Sequence, residues 1–206
     1  MNQVETLQRI RQLGVPAFET RDISALLRVS PANASVLLSR LSARGFVHRL
    51  ARGRWTTATP PNREHLAEQV AAPSPTYISL QSALFRHGLV EQVPAVLYAV
   101  TVGRARRVRT PLGTVSLHRM PPALFGGYET APDGTKVATV EKALFDLFYL
   151  SPTRSRLFAS LPEIELPRSF RWSETANWVK KIAGQSRRTF VEQKLAALKA
   201  APHSRP

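Results

Sequence analysis

The chain has 206 residues, 43% of them hydrophobic, and carries 29 lysines and arginines against 14 acids, a net charge of +15. This length holds one or two globular domains and the apolar fraction argues against a disordered or fibrous chain; with no cysteine, a disulfide framework, a thiol nucleophile and a Cys-ligated metal site are excluded. No apolar run nears the roughly 20 residues of a membrane helix, and the start Met1-Asn2-Gln3-Val4-Glu5 lacks the basic and apolar regions of a signal peptide. A cytoplasmic protein with a polyanionic partner is the expectation.

The charge is unevenly spread. Residues 1–60 hold nine basic and three acidic side chains, residues 61–179 thirteen and ten, and residues 180–206 seven and one.

Leu7, Ile10 and Leu13 mark a first short helix that stops at Gly14. After the extended stretch 15–18, Thr20 is a candidate N-cap for a second helix with inner residues Ile23, Leu26 and Leu27. Ser30-Pro31 is a strong helix start, a capping hydroxyl followed by a proline whose missing N–H costs nothing at the first position. The third helix then runs from Pro31 to Arg44, with Gly45 as its stop. Ala34, Leu37, Leu38 and Leu41 form its core stripe. The other face carries Asn33, Ser35, Val36, Ser39, Arg40 and Arg44, with no acid from Pro31 to Arg44, as a helix entering a major groove requires. Residues 46–50 and 54–57 are β-prone and joined by Ala51-Arg52-Gly53, a hairpin whose arginines Arg49, Arg52 and Arg54 suit phosphate contacts.

This stretch resembles winged helix-turn-helix DNA-binding domains, on Asp22-Ile23-Ser24-Ala25-Leu26-Leu27, Ser30-Pro31-Ala32-Asn33-Ala34-Ser35, Leu41 through Val47, and the Arg52-Gly53-Arg54-Trp55 wing. The domain organisation expected is 1–57 winged helix, 58–75 linker with one short polar helix at 64–70, and 76–206 a second domain.

In the second part, Tyr77 to Leu89 reads as a capped helix ending at glycine. Residues 94–102, 108–111, 114–120 and 127–130 are strand candidates, and Asp133-Gly134 is a turn before Val137. Thr139 caps a helix from Val140 to Tyr149, and Ser173 and Ser186 cap two more at 174–183 and 187–200. The fold class is α+β: the winged helix is followed by a mixed α/β domain with a small sheet flanked by helices.

The segments Tyr77-Ile78-Ser79, Ser82-Ala83-Leu84, His87-Gly88-Leu89 and Ala138-Thr139-Val140-Glu141-Lys142-Ala143-Leu144-Phe145-Asp146-Leu147 resemble the AbiEi family of antitoxin-type transcriptional regulators. That resemblance implies the antitoxin half of a bacterial abortive-infection pair, whose toxin is nucleotidyltransferase-like. The winged helix would repress the shared promoter by binding operator repeats in double-stranded DNA, as a homodimer or as copies side by side, and the second domain would carry antitoxicity. The alternative is a stand-alone winged-helix regulator whose second domain senses a ligand or partner.

No catalytic set, metal site or cofactor motif is legible. Glu141 suits a helix N-terminus, and Lys142 with Asp146 reads as a surface i, i+4 pair worth about 0.2–0.5 kcal/mol. The five histidines lack metal-ligand spacing, Gly126-Gly127 reads as a turn, and Glu163 and Glu165 as part of a Pro-flanked loop. Two basic groups are candidates for an antitoxin or anionic-partner surface. One is Arg104, Arg106, Arg107 and Arg109, in a loop between strands. The other is Lys180, Lys181, Arg187 and Arg188, the last two badly placed at a helix N-terminus unless an anion relieves them.

Overall fold

The computed structural model describes residues 3–15, 17–57, 63–151, 164 and 166–200. Pro16, residues 58–62 of the expected linker with their Thr59-Pro60-Pro61-Asn62, the loop acids Glu163 and Glu165, and His203 lie outside the described residues. The fold is mixed α+β with two sheets, and no described helix is long and apolar enough to cross a membrane.

Helix α1 (Gln3–Gln12), β1 (Phe18–Glu19), α2 (Thr20–Leu27), α3 (Pro31–Ala43), β2 (His48–Ala51) and β3 (Arg54–Thr56) follow one another. β3 lies between β1 and β2, antiparallel to both. The cap of α2 differs from the expected Thr20: Glu19 is the capping residue, and its amide donates to the Asp22 carboxylate at 2.7 Å. Thr20 instead accepts from Trp55 Nε1 at 3.0 Å, locking the helix start to the hairpin. Ser30 caps α3 as its sequence requires, accepting from the Asn33 amide at 3.2 Å. Ile10, Phe18, Ile23, Leu38, Leu41 and Trp55 lie at the heart of one core beneath these elements.

Eleven further helices and strands carry a larger core. They are α4 (Leu66–Ala71), β4 (Thr76–Ile78), α5 (Leu80–Arg86), β5 (Val96–Thr101), β6 (Arg106–Thr110), β7 (Gly113–Arg119), β8 (Tyr128–Thr130), β9 (Lys136–Ala138), α6 (Val140–Leu150) and α7 (Trp172–Lys180), followed by α8 (Gln185–Ala200). The strands form one sheet in the order β6-β7-β5-β4-β9-β8. β5/β7 and β4/β9 are parallel and the other pairs antiparallel.

Three expectations need correction. Tyr77 and Ile78 are strand, not helix: Ile78 pairs with both Ala99 and Val137, and α5 begins only at Leu80, a buried leucine held at φ +56°. The period of 3.6 continues across Ser79 by coincidence, because Tyr77 and Ile78 are buried on both faces of a central strand. α7 and α8 each begin about two residues before the expected starts, so Ser173 and Ser186 lie inside the helices. Within the expected linker, α4 is apolar where it matters: Leu66, Ala67, Val70 and Ala71 are buried in the larger core, and α4 packs on β4, β5 and β7.

α4 also joins the two parts of the chain. Ala17 and Leu50, from the first sixty residues, are buried in the larger core beside it. Gln69 Nε2 donates to Thr56 Oγ1 at 3.5 Å, and Lys136 pairs with Glu68 at 2.7 Å.

Candidate nucleic-acid interface and a buried ion pair

The exposed face of α3 is a direct product of its periodicity. With Ala34, Leu38 and Leu41 turned into the core, Asn33, Ser35, Val36, Ser39, Arg40 and Arg44 are left exposed, Val36 to 50%. Short polar side chains at the start of the helix, held by a Ser30 cap, leave its N-terminal turn narrow, and the cations Arg40 and Arg44 follow about two and three turns after Asn33. The hairpin is fixed against α2 by the Thr20 amide, which donates to the Gly53 carbonyl at 2.9 Å. Gly53 turns the hairpin at φ +71°, a left-handed conformation that a side chain resists. Arg49 lies 5.7 Å from the centroid of the Trp55 ring, and Arg52 stands exposed at the tip.

Arg54 does not share that freedom. Expected to grip phosphate, its side chain is only 16% exposed, pairs with Glu19 at 2.9 Å and donates to the carbonyl of Val70 in α4. Trp55 points into the smaller core, so Arg54 points the other way, toward α4.

The β6 arginines lie on an edge strand rather than in a loop. Arg106, Arg107 and Arg109 belong to β6, which packs beside β2 of the hairpin, and Arg104 precedes it. All four residues are exposed, but Arg106 donates to the same Val70 carbonyl as Arg54. Burial and the nearby Arg54 charge push the Arg106 guanidinium below its ordinary value.

In the C-terminal basic group, the arginines need no anion. Arg188 donates twice to the Ile182 carbonyl, at 3.1 and 2.6 Å, and so caps the chain leaving α7. Arg187 donates to the Tyr149 carbonyl at 2.9 Å and lies 5.6 Å from that ring's centroid. Both side chains fold back from the N-terminus of α8, which relieves the poor placement the sequence implied. Lys181 stacks on Trp178 at 4.0 Å, and Lys180 is exposed.

The expected surface pair on α6 is the largest departure. Lys142 and Asp146 are both 0% exposed and ion-paired in the centre of the larger core. Asp146 Oδ2 also accepts from Ser79 Oγ at 2.7 Å and from the Tyr77 hydroxyl at 3.0 Å. The Lys142 ammonium lies 4.5 Å from the Trp178 centroid and 4.7 Å from that of Phe145. Gly127, at φ +69°, is the floor: a Cβ there would stand 2.8 Å from Trp178 and 3.0 Å from Lys142 Cγ. The Gly126-Gly127 pair is thus a close approach as well as a turn. Burial pushes Lys142 down and Asp146 up from their ordinary values, each shift opposed by the partner's charge. The Tyr77 hydroxyl is driven far upward by burial and by Asp146, so it remains a donor.

Glu141 is also buried. Burial raises its carboxyl, but hydrogen bonds from its own backbone and from Arg171 outweigh that and leave it below its usual range. Tyr77 and Ser79 had no role assigned from sequence. The signal was the apolar girdle of α6, where only Glu141, Lys142 and Asp146 interrupt Val140 to Leu150; a helix apolar all round is buried all round, and its polar residues must find partners inside.

Among the described residues no cluster of three His, Asp or Glu side chains could hold a metal ion. No family model matches the chain, and no curated protein matches it. Among solved structures, the antibiotic-resistance factor ANT(2'')-Ia is similar over 66% of this chain and 91% of its own, at 13% identity and a TM-score of 0.31, too loose a likeness to carry an argument about fold or activity.

Proposed function

We propose that this chain is an antitoxin of the AbiEi type that also represses its own promoter. In this reading residues 1–57 are a winged helix-turn-helix that binds double-stranded operator repeats, residues 76–206 carry the antitoxin activity, and neither part is catalytic. The observation that carries the DNA half is the acid-free exposed face of α3 beside an arginine-bearing hairpin. Asn33 and Ser35 stand where a helix entering the major groove presents base-reading groups, while Ser39, Arg40, Arg44, Arg49 and Arg52 suit phosphate. The antitoxin half rests on the family resemblance. Its support is that Tyr77, Ser79, Lys142 and Asp146, drawn from the two resembling segments, meet in a single buried network. The functional partner in this reading is a nucleotidyltransferase-like toxin, counteracted with or without direct contact.

The test has two parts. In mobility-shift titrations on the upstream promoter, Asn33→Ala is expected to relax discrimination at one base position while Arg52→Ala weakens all sequences alike. Equal loss on every sequence for Asn33→Ala removes it from base reading. Expressing the neighbouring open reading frame alone and with this protein is expected to arrest growth in the first case and restore it in the second; no arrest overturns the antitoxin half.

A further inference from the structure

A cavity of about 390 Å³ lies where the hairpin, the start of α2 and the edge strand β6 meet. Four arginines line it, Arg21, Arg52, Arg54 and Arg106, against one acid, Glu19. Glu19 pairs with Arg21 at 2.8 Å and with Arg54 at 2.9 Å, and so offsets a single positive charge. The two inner guanidiniums, from Arg54 and Arg106, converge on one neutral acceptor, the Val70 carbonyl at the end of α4. A carbonyl oxygen has two lone pairs and only partial charge, so it orients both groups without neutralising either. Like charges gathered at a half-enclosed wall raise the local potential, and a low-dielectric wall focuses it. Burial first, and then the Arg54 charge, hold the Arg106 guanidinium below its ordinary value, with Glu19 opposing the shift.

We propose that this junction cavity is a binding site for a small polyphosphorylated anion, a compound with two adjacent phosphoryl groups such as pyrophosphate or a nucleoside diphosphate. With Asp22 also 4.0 Å from Arg21, an excess of two positive charges remains, and the two inner guanidinium forks, Arg54 and Arg106, can each match the oxygens of one of two adjacent phosphoryl groups. The volume lies near the lower end of small-ligand sites, about 300–1,000 Å³. A duplex strand fits less well, because Arg54 is 16% exposed and recessed behind the hairpin turn. Since the walls come from both parts of the chain, an occupant bridges β6 to the hairpin.

The experiment is calorimetric titration of the full chain with sodium pyrophosphate, and separately with ADP, at constant ionic strength and without DNA. Saturable one-to-one binding is expected, weakened about tenfold or more by Arg106→Gln and unchanged by Arg109→Gln, which removes the same charge from the opposite face of β6. Thermal melting of each variant without ligand checks that the fold is retained. Absence of saturable binding overturns the site, as does an equal loss in the two variants, which is the signature of general charge attraction. Loss of promoter affinity in Arg106→Gln without any pyrophosphate binding assigns the cavity to a DNA phosphate and overturns the proposal too. Because the titration contains no DNA, its result stands apart from that of the promoter assay.

Discussion

Replacing Lys142 by methionine keeps the length and most of the volume of the side chain and removes its charge. Asp146 then remains 0% exposed with its cationic partner gone. Breaking a buried pair from one side costs about 3–5 kcal/mol, chiefly because a charge stays behind unpaired. Asp146 still accepts from Ser79 and Tyr77, which places the expected loss at the lower end, about 3 kcal/mol, or roughly 6–12 °C in Tm for a chain of this size. Burial already raises the Asp146 carboxyl, and Lys142 is the first influence opposing that rise. A carboxyl whose folded pKa lies above its unfolded value contributes most stability below the unfolded value of 3.8 and loses it as pH rises through the folded one. The variant's deficit is therefore largest at neutral pH and narrows on acidification. The double variant Lys142→Met/Asp146→Asn recovers part of the loss at pH 7, since no unpaired charge remains. Urea melts from pH 5 to 8 measure all of this. A loss under about 0.5 kcal/mol, the size of an exposed helical pair, or a deficit independent of pH, refutes the buried-pair argument.

Ser30→Ala removes the hydroxyl that caps α3 and is expected to cost about 1 kcal/mol in chemical denaturation; a neutral result means another group satisfies the Asn33 amide. Gly127→Ala forces a Cβ against Trp178 and Lys142 at a positive φ, with an expected loss of about 1–3 kcal/mol and a shifted tryptophan emission. The logarithm of promoter affinity is expected to fall linearly with log salt, and Arg40→Ala and Arg52→Ala each to reduce the magnitude of that slope by about one. Unchanged slopes place those side chains away from phosphate.

The helices of the first sixty residues were legible because each rule pointed the same way: Ser30-Pro31 at a start, Gly14 and Gly45 past an end, and apolar spacing that buries Ala34, Leu38 and Leu41. The strands β5 to β8 were legible from β-rich runs between Pro and Gly breaks. What stayed hidden was set by long-range contact. Tyr77-Ile78 looks helical until Val100 and Ala99 are opposite it. Lys142 and Asp146 look like a solvated pair until Tyr77, 65 and 69 positions away, closes over them. Arg54, Arg187 and Arg188 count as free cations in a charge tally, yet each spends its donors on backbone carbonyls that no local pattern names.

The burial of α4 bears on how the molecule can be cut. A fragment starting at residue 76, where the composition suggests a clean break, leaves Leu66, Ala67 and Val70 behind and strips a wall from β4, β5 and β7. It also discards Glu68, the partner of Lys136. Dissection of the two proposed activities therefore belongs upstream of residue 63, so that the helix travels with the sheet it covers. A fragment ending at Thr57 loses in turn the carbonyl that holds Arg54. The segment between the two parts is a shared wall, and whichever half lacks it is the half to test first for solubility.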